Sequence, residues 1–151
     1  MNINEVIGAK KYEPPVRVTT SDAAAEHPLF HKYTDIEHIN RYPHAIPDGT
    51  LVRITEKIHG TNSRVGLIPY GDGTAEFMAG SHGLRRKLPT EGRTCMYWEP
   101  LAIPGVKSLL ESFRESGQAV MLFGEVYGPG VQDLDYGVTK RGYRVFDIAI
   151  N

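Results

Sequence analysis

The sequence predicts an α+β fold built mainly of antiparallel β-sheet with few helices. Three observations lead there. Several β-prone runs follow one another with little more than turn-type sequence between them. Only one segment carries a convincing helical spacing of apolar residues. The balance of 40% apolar and 23% charged residues over 151 positions is that of one soluble globular domain.

The elements follow in order. Residues 1–28 contain Pro14, Pro15 and Pro28 and the small polar run Thr19 to Asp22, with little apolar periodicity. They read as a linker or extended arm, with a domain over 29–151. Phe30, Tyr33, Ile36 and Ile39 recur at intervals of three before Pro43 and Pro47, which suggests a short helix or turn. Leu51–Ile54 and Ser63–Ile68 read as strands around the polar stretch Glu56 to Asn62. Tyr70-Gly-Asp-Gly-Thr74 has the composition of a hairpin turn and returns as a strand over Ala75–Ala79. Gly80–Arg93 is basic, polar and expected to be loop. Val106, Leu109, Leu110 and Phe113 fall at i, i+3, i+4 and i+7, after Pro104 and before Gly117, so they form the core face of one amphipathic helix. Gln118–Tyr127 and Tyr143–Ile150 are the remaining β-rich runs, and consecutive strands joined this way favour antiparallel pairing.

Charge and composition exclude several classes. Seventeen Lys plus Arg against eighteen Asp plus Glu give a formal net charge of −1, so a protein coating nucleic acid through overall positive charge is excluded and any basic surface is local. No apolar run approaches the roughly 20 residues needed to span a bilayer, and the first residues lack the apolar core of a secretory signal, which favours a cytoplasmic protein with no membrane partner. Cys95 is the single cysteine, so neither an intrachain disulfide nor a multi-cysteine zinc site can form, and it reads as an ordinary thiol. His27 and His31 are four apart, but Pro28 interrupts any helix that would align them as metal ligands. Tyr97 and Trp98 read as core.

The stretch Thr55-Glu-Lys-Ile-His-Gly-Thr-Asn62 is the most informative in the chain. A lysine attacks phosphorus or a carbonyl only as the neutral amine, and an unperturbed pKa of about 10.4 leaves about 0.1% neutral near pH 7.4. A nucleophilic Lys57 therefore requires positive neighbours or a metal, and Arg64, Arg85, Arg86 or Lys87 are the cations available to supply them. Gly60 lets the turn approach a phosphate closely, and His59 can donate to a phosphate oxygen or carry a proton. Spacing alone leaves a solvated lysine in a β-turn as the simpler reading.

Lys57-Ile-His-Gly60-Thr-Asn62 resembles motif I of the covalent nucleotidyltransferases, in the histidine-bearing form of the nick-sealing, ATP-dependent RNA ligases. Phe123-Gly-Glu-Val-Tyr-Gly-Pro-Gly-Val-Gln132 resembles motif III and its extension, and Tyr143-Arg-Val-Phe-Asp-Ile148 resembles motif IIIa. Phe30-His-Lys-Tyr-Thr-Asp-Ile-Glu37 resembles the segment that opens the catalytic domain. The four blocks stand in the family's order over residues 30–150.

The resemblance implies a nucleotidyltransferase domain of the ATP-grasp-like ligase adenylation type and a role for each matching residue. Lys57 would attack the α-phosphorus of ATP, expel pyrophosphate and carry AMP as a phosphoramidate. His59 would assist the transfer, Glu56 would flank the base and Asn62 would support the nucleotide. Glu125 would accept hydrogen bonds from the ribose hydroxyls, and Phe146 would stack on adenine, worth about 1–3 kcal/mol by analogy with base stacking. Tyr33 and Gln132 match positions tied to engaging the nicked duplex or its 5′-phosphate. Gly80-Ser-His-Gly-Leu-Arg-Arg-Lys87 is the candidate motif Ia, with Arg85 and Arg86 on ATP phosphates and Lys87 on RNA. Asp147 is the candidate metal ligand. Mg2+ or Mn2+ is the expected metal, and RNA ends or a nicked duplex are the expected partners.

The chain stops at Asn151, before the motifs IV and V that contribute a further acid and lysines in this family. Ile7-Gly-Ala-Lys-Lys-Tyr-Glu-Pro-Pro15 resembles a linker that in some RNA ligases follows an OB-fold domain. The expectation is a truncated or partial enzyme with weak or no activity alone, whose missing groups would come from another domain or a complementary polypeptide pairing with an exposed sheet edge at Ile150. A DNA ligase or capping-type nucleotidyltransferase is one alternative, and a non-catalytic nucleotide- or RNA-binding remnant is another.

Overall fold

The computed structural model describes residues 22–151. Residues 1–21 of the linker expected over 1–28, including the Ile7–Pro15 segment, lie outside the described residues. Five antiparallel strands form one sheet in the order β3-β2-β1-β4-β5: β1 is Thr61–Pro69, β2 Ala75–Ser81, β3 Arg85–Arg86, β4 Val120–Tyr127 and β5 Gly142–Ile150. One α-helix, α1 (Pro104–Glu111), and short 3-10 turns complete the described elements.

Strand alternation sorts the side chains onto two faces. Val65, Leu67, Ala79, Val120 and Leu122 point to one face and pack with Leu110 of α1 and with Trp98 and Phe113. Ile68, Met78, Met121 and Phe123 point to the other, where Phe30 and Tyr33 cover them. The central strands β1 and β4 are thus buried on both faces, which is why both read as nearly continuous apolar runs rather than as strict alternation. Each fully buried side chain of this kind contributes about 1.5–3 kcal/mol through removal from water.

The hairpin between β1 and β2 closes as its composition predicts. Asp72 Oδ1 accepts from the backbone N–H and the hydroxyl of Thr74 (2.9 and 2.6 Å), and Gly73 N–H donates to Tyr70 O. Pro104 occupies the first turn of α1, where its missing N–H costs nothing, and Gly117, with φ of 67°, ends the following turn.

Three sequence expectations are corrected, and one, the short helix or turn over Phe30–Tyr42, is narrowed. Leu51–Ile54 is not a strand: Leu51 is 98% exposed and Ile54 92%, because no neighbouring strand is present to take up its backbone hydrogen bonds. The Phe30–Tyr42 segment holds only a 3-10 turn at Ile39–Arg41, since Phe30 and Tyr33 turn into the sheet while Ile36 faces solvent. Gly80–Arg93 is not all loop: β2 runs through Ser81, and Arg85–Arg86 pairs with Gly80 and Ala79. Leu109 is exposed, because α1 buries a narrow stripe centred on Leu110.

The described part of the predicted arm is tied to the sheet. Ala23 bridges to Arg86, Ala24 N–H donates to Arg85 O, and Lys87 N–H donates to Asp22 O. Glu26 reaches further in: Oε1 accepts from Arg85 N–H (3.2 Å), while Oε2 meets the guanidinium of Arg64 (3.0 Å). Arg64 is fully buried beneath Phe30, whose ring centre lies 4.7 Å from its Cζ. Desolvation dominates there and lowers the Arg64 pKa, opposed by Glu26.

Candidate nucleotide-transfer site

The candidate site is assembled around the turn that leads into β1. Asn62 and Glu125 are cross-strand partners on β1 and β4, on the face that also carries Arg64 and Phe123. Glu125 lies against the Gly60 turn, with the Gly60 N–H, Lys57 and His59 near enough to act on its charge. Partial burial raises the Glu125 pKa, while Lys57, the Gly60 N–H and His59 oppose that rise. A methyl group at position 60 would collide with the carbonyl of Val126 and come within 2.9 Å of Glu125 Cγ, so only glycine lets the turn lie against β4.

Two side chains hold this turn from a distant loop. Gln132 Nε2 donates to Gly60 O (3.2 Å), and His59 N–H donates to Tyr136 Oη (2.6 Å). Tyr136 itself adopts a left-handed backbone, with φ of 58°, and its ring meets Tyr127 edge-on at 5.6 Å. The backbone of the His-Gly pair is therefore clamped by the segment that follows β4, while Glu56 and Lys57 just before it are exposed.

An aromatic group borders the same face. Tyr33 packs 4.9 Å from Phe123 and 5.1 Å from Phe146, ring centre to ring centre. Tyr33 Oη donates to Asp147 Oδ2 (3.0 Å), and that bond to a carboxylate raises the Tyr33 pKa. Phe146 owes its position to an irregularity. Phe123 pairs with Asp147 and Gly124 with Val145, so Phe146 is the extra residue of a β-bulge, a device that re-aims a side chain. It is half exposed. Gly124 is needed beside the bulge: a Cβ there would lie 2.5 Å from the Tyr143 ring, whose hydroxyl donates to Ser63 O and Leu122 O, both at 3.1 Å.

The structure thus brings Lys57, His59, Asn62, Glu125 and Gln132 to one turn, with Tyr33, Phe146 and Asp147 on the adjoining strand edge. The basic residues of the candidate motif Ia are distributed differently. Arg85 shares the site's face but lies on β3, three strands from Glu125 and so about 14 Å away at the usual strand spacing. Its guanidinium is engaged by Glu76 (3.2 Å) and Ala25 O (3.2 Å). Arg86 alternates to the opposite face, where it meets Asp22 (2.9 Å) and the Tyr97 ring. The expected cationic neighbours of Lys57 are corrected accordingly. The charge placed opposite it is the Glu125 carboxylate, while Arg64, Arg85 and Arg86 are held by Glu26, Glu76 and Asp22.

Sequence reasoning missed three residues. Tyr136 escapes it because a left-handed tyrosine has no sequence signature beyond the Asp-Tyr-Gly context. Glu26 lies in the predicted arm yet anchors Arg64 and Arg85. Arg144 stands in register with Glu125 across β4 and β5, a position legible only once the bulge is known.

Asn62 Oδ1 is buried beside Glu125 without a hydrogen-bond partner in the protein. Among the described residues no group of three or more His, Cys, Asp or Glu side chains is placed to hold a metal ion. Asp147 already accepts bonds on both oxygens, from Tyr33 and from Ile148 N–H. The described residues therefore do not build a metal site by themselves. No described helix is long and apolar enough to cross a membrane.

Comparison with known proteins identifies the family and the fold. The model of the RNA ligase family matches residues 50–151. No curated protein matches the chain. Among solved structures, an RNA ligase of Naegleria gruberi with PPi is 21% identical with a TM-score of 0.56. A glutamate-to-alanine variant of it with ATP and Mn is 20% identical at a TM-score of 0.60, and another with AMP and Mn is 21% identical at 0.61. In each case the alignment covers 97% of this chain and 41% of the ligase, so the chain spans about two fifths of that enzyme's length. The shared fold and the family match over the turn, β4 and β5 lead to one conclusion: this chain belongs to the RNA ligase family.

Proposed function

We propose that this chain performs the nucleotidyl-transfer chemistry of an ATP-dependent RNA ligase. Lys57 Nζ attacks the α-phosphorus of ATP, the bond to pyrophosphate breaks, and AMP remains on the lysine as a phosphoramidate. AMP then passes to the 5′-phosphate of an RNA end, and a neighbouring 3′-hydroxyl attacks that phosphate and releases AMP. The observation that carries this reading is the clamped turn: Gly60 lies against Glu125, fastened by Gln132 and Tyr136, with Lys57 and His59 beside the carboxylate.

The remaining residues suit a bound nucleotide. Glu125 offers a carboxylate to the ribose hydroxyls, Asn62 Oδ1 offers an unoccupied acceptor next to it, and Phe146 presents a half-exposed ring for the base. His59, with its backbone fixed by Tyr136, assists at the phosphates. The Naegleria ligase is seen with ATP and Mn, with AMP and Mn, and with PPi, which correspond to the reactant, the transferred group and the leaving group of this reaction. A divalent cation, when bound, neutralises phosphate charge. The partners of this reading are RNA ends or a nicked duplex. A complementing domain or polypeptide is supported by the apolar side chains of Val145, Ile148 and Ile150 exposed along the edge strand β5.

Incubation with α-labelled ATP and Mg2+ or Mn2+, followed by denaturing electrophoresis, tests the proposal. Label on the wild-type chain and none on Lys57→Ala is the expected result. Label from GTP in preference to ATP would assign a capping-type activity, and ATP binding without adduct would reduce the chain to a nucleotide-binding remnant.

A further inference from the structure

A cleft away from Lys57 carries a distinct lining. A cleft of about 480 Å3 opens beside β3, and neither it nor a smaller cavity of about 30 Å3 is lined by Lys57, Glu125 or Phe146. Three cations, Arg86, Lys87 and Arg93, line the larger cleft against one carboxylate, Asp22. Thr90 and Thr94 add hydroxyls, and Leu88, Pro89 and Met96 add an apolar wall. This combination of positive charge, hydroxyl donors and apolar surface suits a sugar-phosphate strand with a base against the wall.

Two features make the cleft a shaped site rather than a solvated basic loop. Arg86 is preorganised: Asp22 holds one end of its guanidinium at 2.9 Å and the Tyr97 ring lies beneath it at 5.1 Å. Little side-chain entropy is then lost on binding. The cleft also connects to the catalytic turn, because Tyr97 Oη lies 3.5 Å from Thr61 Oγ1 at the start of β1, four residues beyond Lys57. It sits on the face opposite Glu125, so a strand held there does not compete with the nucleotide.

We infer that the cleft lined by Arg86, Lys87 and Arg93 binds the phosphodiester backbone of single-stranded RNA. The inference rests on the RNA ligase reading for the identity of the polyanion and assigns Arg86 to RNA rather than to ATP. The apolar wall of Leu88, Pro89 and Met96 beside the cations favours a strand whose bases are unpaired and free to pack on it.

Cys95 supplies the test, since it is the single cysteine and lines the cleft. Alkylation of the full chain with N-ethylmaleimide is followed with and without a short oligouridylate at low salt. RNA is expected to slow alkylation at least about fivefold, and raising the salt should abolish the protection. Arg93→Glu, and the milder Arg93→Gln, should remove most of it and weaken RNA binding in fluorescence anisotropy about tenfold, with a shallower salt dependence. Lys107→Glu, on α1 outside the cleft, should leave protection intact. RNA that binds without protecting Cys95, protection unaffected by either Arg93 variant, or equal protection by pyrophosphate at matched ionic strength would each overturn the inference. Adduct formation on Lys57 is scored separately. Protection without adduct would leave the cleft standing and remove the catalytic reading, and adduct without protection would do the reverse.

Discussion

The centre of the sheet and the segment that delivers Lys57 are built on opposite terms. β1 and β4 bury side chains on both faces and pair with each other from Thr61 to Leu67 of β1. Residues 36–57 expose Ile36, Leu51 and Ile54 almost completely and form no strand. β-propensity in Leu51–Ile54 is no weaker than in parts of β1, so the difference lies in neighbours rather than in the residues. A strand exists where another strand supplies its hydrogen-bond partners, and Lys57 sits where the paired sheet gives way to a turn fastened by two side chains.

The comparison breaks most readily at the centre. Leu122→Ala should cost about 2–5 kcal/mol of unfolding free energy in a denaturant titration, because the cavity is enclosed by both neighbouring strands and α1. Glu26→Ala comes next. It leaves the buried Arg64 guanidinium without its carboxylate, and since Glu26 is itself half exposed the loss should be smaller, about 2–3 kcal/mol, with Arg64→Met in the same background restoring part of it. At the turn, Tyr136→Phe removes the acceptor of His59 N–H, for about 1 kcal/mol at most in stability, yet it should lower the rate of Lys57 adenylation while ATP affinity changes little. A loss confined to ATP affinity would show that Tyr136 does not position the turn.

Two smaller effects sharpen the contrast. Glu125 has a raised pKa in the folded chain, so the folded state holds its proton to higher pH than the unfolded state does. Stability should therefore decline as pH rises from the unfolded carboxylate value through the raised folded value. Glu125→Gln should flatten that part of a Tm-versus-pH curve and leave the most acidic points unchanged. Leu51→Ser should lie within about 0.5 kcal/mol of wild type by chemical denaturation, as expected for a side chain in open solvent. A larger loss would mean that Leu51 is covered in solution.

Legibility in the sequence followed the same division. β1, β2, β4, β5 and α1 were readable because apolar runs, the Asp-Gly turn and Pro104 are local signals whose physics acts over a few residues. The closeness of the Lys57-Ile-His-Gly60 turn to Glu125 was readable only through family resemblance, since nothing local says that β1 pairs with β4. The distribution of Arg85 and Arg86 was not readable at all. Adjacent arginines look equivalent until a two-residue strand turns them to opposite faces, one toward Glu76 and the other toward Asp22 and Tyr97.

By itself the sequence determined the mainly antiparallel class, the one described helix and the resemblance to RNA ligases, because residue chemistry, motif order and short-range periodicity are carried by the chain directly. Tertiary structure decided which charges meet. It set Glu125 opposite Lys57, sequestered Arg64 with Glu26, re-aimed Phe146 through a bulge and opened the Arg86 cleft on the far face. These outcomes depend on strand order and register, and a one-residue change in register would exchange the two faces.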